Sequence, residues 1–231
     1  MARSLQKMYT GVPRTYEFLN HLLTLGQDIL WRKKAAGMAA ATGGTHWLDV
    51  GIGTGEMAYN LQRLAPEDTQ VIALDFSLPM MREAMKKPIA KKVSFTLAEA
   101  TRIPFADNSI DAITLSFAAR NIDSSGNGNL LKCFQEFHRV LKPGGVFVNL
   151  ETSQPRQWLV RSMFHFYVKL TVFPVGKTVS GSNAAYTYLS RSMRQFYSAE
   201  ELAEIMRNAG FPQIRFRRLL FGAAAMHHTT K

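Results

Sequence analysis

The chain has 231 residues, enough to bury a substantial core, and its 46% hydrophobic and 19% charged content excludes wholesale disorder. A single cysteine, Cys133, excludes an internal disulfide and a cysteine-cluster metal site; spaced helically among Leu130, Phe134 and Phe137, it reads as a core thiol. The net charge of +11 divides into +4 for residues 1–40, 0 for 41–150 and +7 for 151–231, so the basic excess sits on the flanks. Such flanks suit nucleic acid, an anionic membrane surface, or solvent alone. No apolar run reaches the ~18 residues of a membrane span. Met1 to Lys7 lacks the apolar core of a secretory signal, and a cytoplasmic location is expected.

In chain order, residues 14–42 read as helical, with apolar positions at Phe18, Leu22, Leu25, Ile29 and Leu30, a break at Gly26 and a stop at Gly43-Gly44. Preceding the first strand, this segment is expected to be a lid over the site. Trp47 to Val50 is an apolar run with the character of a buried strand, and it ends in Gly51, Gly53 and Gly55. Helical spacing resumes after Glu56 with Met57, Leu61 and Leu64. A strand, a glycine turn and a helix let backbone approach a nucleotide closely. The spacing is G-x-G-x-G, not the G-x-G-x-x-G of a dinucleotide pyrophosphate site. Asp49, inside the strand, would oppose a pyrophosphate but suits a cationic ligand with a free amino group, such as S-adenosylmethionine (SAM).

Val71 to Leu74 is a second strand ending at Asp75, an acid placed to accept ribose hydroxyls. It serves equally as a cap before the helix that Ser77 opens. Val93 to Leu97 is a third strand, followed by Glu99, which could take the adenine amino group. Ile110 to Ser116 is a fourth. A helix from about Gly128 to Leu141 stops at Lys142-Pro143-Gly144-Gly145, and Val146 to Leu150 is a fifth strand ending at Glu151. Residues 156–175 mix aromatics with Arg156, Arg161 and Lys169 and predict an amphipathic helix inserted before the last one, residues 199–209. Ile214–Arg217 and Leu220–Met226 predict a closing hairpin. The alternation predicts an α/β fold, a doubly wound, Rossmann-like parallel sheet. It divides as an N-terminal helical cap (1–44), a SAM-binding core (45–151), a substrate- or membrane-facing insertion (152–198) and a closing helix and hairpin (199–231).

The ordered set of Asp49 with its glycines, Asp75, Glu99 and Lys142-Pro143-Gly144-Gly145 resembles the class I SAM-dependent methyltransferases. Arg139 to Gly145, Leu150 to Ser153, Pro104 to Ser109, Ser116 to Asn121 and Ala185 to Leu189 narrow this to the ubiquinone/menaquinone biosynthesis C-methyltransferases. Tyr16 to Asn20 with Trp31-Arg32, and Gly210-Phe211 with Gly222 and His227, fit the same family. The resemblance implies SAM contacts at Thr54, Asp75, Phe76, Glu99, Ala100 and Ser116, beside Asp49, Gly51, Gly53 and Gly55. Glu17, Glu99, Asp28 and Ala118-Ala119 depart from the family pattern, which bears on the methyl acceptor rather than the cofactor.

The chemistry so implied is methylation of a ring carbon of a prenylated hydroquinone, such as demethylmenaquinol, with no metal required. Arg120 would stabilise the phenolate and Asn121 would orient ring oxygens; Tyr16, Asp28 and His227 are candidates for taking the proton. The basic flanks and the aromatic, basic residues 156–175 suggest a peripheral position on the inner face of an anionic membrane; no nucleic-acid partner is expected, and a homodimer is admitted. Alternatives are a SAM-dependent enzyme acting on another lipid, small molecule or RNA, and a nicotinamide-dependent oxidoreductase. The absence of a catalytic Cys or Asn-Pro-Pro-aromatic motif opposes a base-modifying enzyme, and the glycine spacing opposes the oxidoreductase.

Overall fold

The computed structural model describes residues 20–123, 128–180 and 196–231. The strands are β1 (His46–Val50), β2 (Gln70–Asp75), β3 (Val93–Leu97), β4 (Ile110–Ser116), β5 (Leu141–Thr152), β6 (Gln213–Leu219) and β7 (Ala224–Thr230). The helices are α1 (Gln27–Ala40), α2 (Glu56–Leu64), α3 (Leu78–Met85), α4 (Ala119–Ile122), α5 (Asn129–Val140), α6 (Trp158–Ser180) and α7 (Ala199–Asn208). Among the described residues the strands form one sheet in the order β3-β2-β1-β4-β5-β7-β6.

Strands β1 to β5 run parallel, and β7 enters antiparallel between β5 and β6. The strand order reverses between β1 and β4, and the carboxyl ends of these two strands flank the crevice where such sheets bind ligands. Alternation along β5 builds two cores. Phe147 packs with Phe134, Phe137, Leu202, Met206 and Phe211 on one face. Val146, Val148 and Leu150 pack with Trp47, Met57, Leu61 and the alanines of α1 on the other.

Three expectations need correction. The helix before Lys142-Pro143-Gly144-Gly145 stops as expected, yet β5 begins at Leu141 and carries these residues at its start. Asp111 explains this: its carboxylate accepts from Thr45 N, His46 N and Lys142 Nζ, tying the foot of β5 to those of β1 and β4. Leu220 to Gly222 form the hairpin turn, not the start of a strand, and β7 runs on to Thr230.

In α1 the inward face is the charged one. Break and stop fall where expected, at Gly26 and just after Ala40, but Leu25, Ile29 and Leu30 are exposed. Asp28, Trp31, Arg32, Ala35, Ala36 and Ala39 are buried instead. The alanines let α1 lie close against α2 and the sheet, and the two charges satisfy one another and their neighbours rather than water.

Helix α6 packs through Val160, Phe164, Tyr167 and Val168, with Tyr167 Oη donating to Leu22 O at 2.8 Å. Leu159, Met163, Phe166 and Leu170 share the opposite, exposed side, with Trp158 beside them. Among the described residues no helix is long and apolar enough to cross a membrane.

Candidate active site

The glycine turn starts from β1, where Gly51 N and Ile52 N both donate to Leu74 O of β2. Gly51, Gly53 and Gly55 have φ of 66°, 54° and 87°. At Gly51 a Cβ would lie 2.6 Å from the Cβ of Ala118, so only glycine lets the turn close against the end of β4. Gly55 caps α2, and Thr54 is half-buried in the turn.

Asp75 ends β2 and ties the turn to the next helix. Its Oδ2 accepts from Gly53 N at 2.9 Å and its Oδ1 from Ser77 N at 2.8 Å. Burial raises its pKa against the pull of the Gly53, Ser77 and Phe76 amides. Each oxygen keeps a lone pair for a further donor. Phe76 is half-buried beside it, and Ala98 N donates to Asp75 O, bringing the turn after β3 alongside. In that turn Glu99 is exposed and Ala100 half-buried.

Asp49 is the buried charge of the site, 1% exposed. Its Oδ1 accepts from Thr114 Oγ1 at 2.8 Å, across the β1–β4 register in which the two residues are partners. Among the described residues its Oδ2 has no hydrogen-bond partner. Burial dominates the Thr114 hydroxyl, the Arg32 charge and the Ala58 amide, and the pKa is pushed up to about 7.

At the end of β4, Ser116 Oγ accepts from Arg32 Nη1 at 2.8 Å, and the guanidinium lies 4.9 Å from the centroid of the Phe117 ring. Phe117 holds φ of 54°, an uncommon conformation for an aromatic residue that turns the chain sharply into α4. There Arg120 is 2% exposed. Its backbone N donates to Glu151 Oε2 at 3.3 Å, its Nη1 donates to Thr152 Oγ1 at 3.1 Å, and Nη1 lies 3.7 Å from Glu151 Oε1. Glu151 also accepts from Thr152 N and Oγ1, so the ends of β4 and β5 are joined by a buried ion pair. Asn121 is half-buried, and its Oδ1 is enclosed with no hydrogen-bond partner among the described residues.

Asp49, Gly51, Gly53, Thr54, Gly55, Asp75, Phe76 and Ser116 therefore gather at the carboxyl ends of β1, β2 and β4. Glu99 and Ala100 follow β3, and Arg120 and Asn121 adjoin Ser116 on the other flank. Tyr16 lies outside the described residues, as do Glu17 and the Ala185–Leu189 motif. His227 stands apart on β7, its Nε2 donating to Ala199 O at 2.9 Å, with a pKa pushed down to about 4 by burial. Asp28 is buried among His21, Thr24 and Arg32. Sequence reasoning missed the inward role of Arg32. Its signal was an i, i+4 Asp-Arg pair on a helix face otherwise made of Trp31 and alanines.

The family model described as the ubiE/COQ5 methyltransferase family matches residues 2–231. The demethylmenaquinone methyltransferase of Bacteroides fragilis is 36% identical over 235 residues, covering 100% of this chain and 93% of that protein. The ubiquinone/menaquinone biosynthesis C-methyltransferase of Desulfotalea psychrophila is 33% identical over 226 residues, covering 98% and 89%. Among solved structures, a SAM-dependent methyltransferase of Thermotoga maritima superposes with a TM-score of 0.66 at 18% identity, covering 96% of this chain and 99% of that one.

Proposed function

The chain belongs to the ubiE/COQ5 methyltransferase family, and from this premise we propose that it methylates a ring carbon of a prenylated hydroquinone, demethylmenaquinol or a close relative, in quinone biosynthesis. It is a SAM-dependent methyltransferase. The observation that carries the quinol reading is full-length similarity to relatives named for demethylmenaquinone and for ubiquinone/menaquinone C-methylation.

The residues present fit the cofactor. Asp49 offers a buried carboxylate oxygen without a partner, Gly51 leaves its backbone bare, and Asp75 ends β2 with spare acceptor capacity. Thr54, Phe76, Glu99, Ala100 and Ser116 complete the set that would hold it. When bound, SAM supplies an electrophilic methyl group on a sulfonium.

A ring carbon beside a hydroxyl becomes a good nucleophile once that hydroxyl, with an ordinary pKa near ~10, loses its proton. Arg120 lowers the cost of the resulting phenolate, held in place by Glu151 and Thr152. Asn121 Oδ1 accepts from a ring hydroxyl and sets the orientation of the ring. Tyr16, which lies outside the described residues, is the residue the family resemblance offers to take the hydroxyl proton.

The exposed side of α6 carries the enzyme on an anionic membrane, where a prenylated substrate resides. Leu159, Met163, Phe166 and Leu170 insert, while Arg156, Arg161 and Lys169, all exposed, meet lipid phosphates. Phe221, 86% exposed at a φ of 54° in the β6–β7 turn, adds an apolar tip next to Gly222, whose backbone lies against Pro155 just before α6. Phe164, by contrast, is half-buried on the inner side. Phe166→Ser with Leu170→Ser should abolish salt-sensitive sedimentation with anionic vesicles; unchanged sedimentation removes this helix from the interface.

The reaction itself is tested by supplying SAM with the acceptor in reduced or oxidised form. The reduced quinol should be methylated and the quinone should not. Equal turnover of both would contradict a phenolate-assisted transfer.

A further inference from the structure

Arg32 is a cation that α1 delivers into the cofactor site, 9% exposed. Its Nη1 binds Ser116 Oγ and its guanidinium stacks on Phe117, both at the carboxyl end of β4. Among the described residues its Nε has no hydrogen-bond partner, and Asp28 Oδ2 stands 3.6 Å away, beyond hydrogen-bond reach. On β1, Asp49 Oδ2 is likewise buried and without a hydrogen-bond partner among the described residues. Two opposite charges, each with one enclosed polar atom unused, thus stand near enough for the Arg32 charge to act on Asp49. Burying both groups with unmet capacity is costly unless a ligand meets it.

We infer that Arg32 and Asp49 form a zwitterion-reading pair, Arg32 binding the carboxylate and Asp49 the ammonium of the amino-acid end of the cofactor. The inference rests on the SAM reading above and extends it to a residue outside the family's glycine and strand-end positions. Asp28, Asp49 and Asp75 make this end of the sheet acidic, a poor setting for a carboxylate without a cation. Arg32 supplies that cation. Ser116 holds the guanidinium in place, and the Phe117 ring keeps water from one of its faces. Because Asp28 balances Arg32 from behind, the arginine stays buried without the ligand.

Calorimetry with three probes tests the pair: S-adenosylhomocysteine, its decarboxylated counterpart, and 5′-methylthioadenosine, which lacks the amino-acid end. Wild type should prefer S-adenosylhomocysteine to the decarboxylated probe by about 10- to 100-fold, the range for a charge-assisted contact. Arg32→Gln should erase that preference and leave 5′-methylthioadenosine binding within about twofold. Arg32→Lys should keep part of it, since the ammonium retains the charge but loses the planar fork. A merely structural strut would weaken all three probes alike in Arg32→Gln, and that result overturns the inference. So does equal binding of the first two probes by wild type, which requires no variant to fold. Failure of wild type to bind any adenosyl probe would overturn the cofactor reading itself, a distinguishable outcome.

Discussion

Asp49 makes cofactor binding depend on pH in a way that can be worked out in advance. Burial holds its carboxyl near pKa 7, and the groups facing it are the Thr114 hydroxyl, the Arg32 guanidinium, the Ala58 amide and the more distant Asp75 carboxylate. If the ammonium of the cofactor requires the ionised form, apparent affinity scales with the ionised fraction, roughly three quarters at pH 7.5 and one tenth at pH 6. S-adenosylhomocysteine should then bind about eightfold more weakly at pH 6 than at pH 7.5. Above about pH 8 the amino group of the ligand itself deprotonates and affinity should fall again.

The same group sets a stability profile of opposite sense. Its folded pKa lies above the ordinary 3.8, so its contribution is fully present below pH ~4 and is lost as pH rises through about 7. Asp49→Asn should therefore raise the melting temperature of the cofactor-free protein at pH 8, with a ceiling on the order of 4 kcal/mol, while weakening S-adenosylhomocysteine and flattening its pH profile. Calorimetric titrations from pH 5.5 to 8.5, in buffers of different ionisation enthalpy, measure both the affinity and the proton released. A wild-type affinity that is flat between pH 7.5 and 5.5, or an Asp49→Asn profile identical to wild type, refutes the reasoning.

Asp75→Ala should weaken S-adenosylhomocysteine by roughly 1.5–3 kcal/mol, the range for hydrogen bonds to a charged group, and unchanged affinity by calorimetry would remove Asp75 from the site. Gly51→Ala places a Cβ against Ala118 at a positive φ and should cost roughly 1–3 kcal/mol in a denaturant titration while impairing cofactor binding; a neutral variant would show that the turn has room. Arg120→Ala should cut turnover by about 10²-fold with little change in S-adenosylhomocysteine affinity, partly rescued by higher pH or by Arg120→Lys. Lost stability with unchanged turnover per folded molecule would instead assign Arg120 only to its ion pair with Glu151.

Local pattern made β3 and β4 legible to the residue, β3 as a half-buried edge strand by its alternation and β4 as a buried parallel strand by its apolar residues. The placement of Asp49, the glycine turn and Asp75 toward the carboxyl ends of β1 and β2 was legible for a related reason, since it follows from position along the strands. What stayed hidden depends on contacts across the chain. The partner of Arg120 lies 31 residues away on another strand. The start of β5 depends on Asp111 gathering three separate donors, two of them near residue 45. In α1, counting apolar positions pointed to Leu25, Ile29 and Leu30, whereas the buried side is made by alanines and a matched Asp28–Arg32 pair. In α6 apolar residues lie on both sides, and only packing separates Phe164 from Phe166.

The central claim, transfer of a methyl group to a ring carbon of a prenylated quinol, is tested most directly by following the label. The purified protein would be supplied with methyl-labelled SAM and demethylmenaquinol in anionic mixed micelles, and the product examined by NMR and mass spectrometry. The label should appear on a ring carbon adjacent to a hydroxylated carbon, with S-adenosylhomocysteine formed in equal amount. Label on a ring oxygen, or SAM turned over only with RNA or another acceptor while the quinol is left unmethylated, would contradict the account.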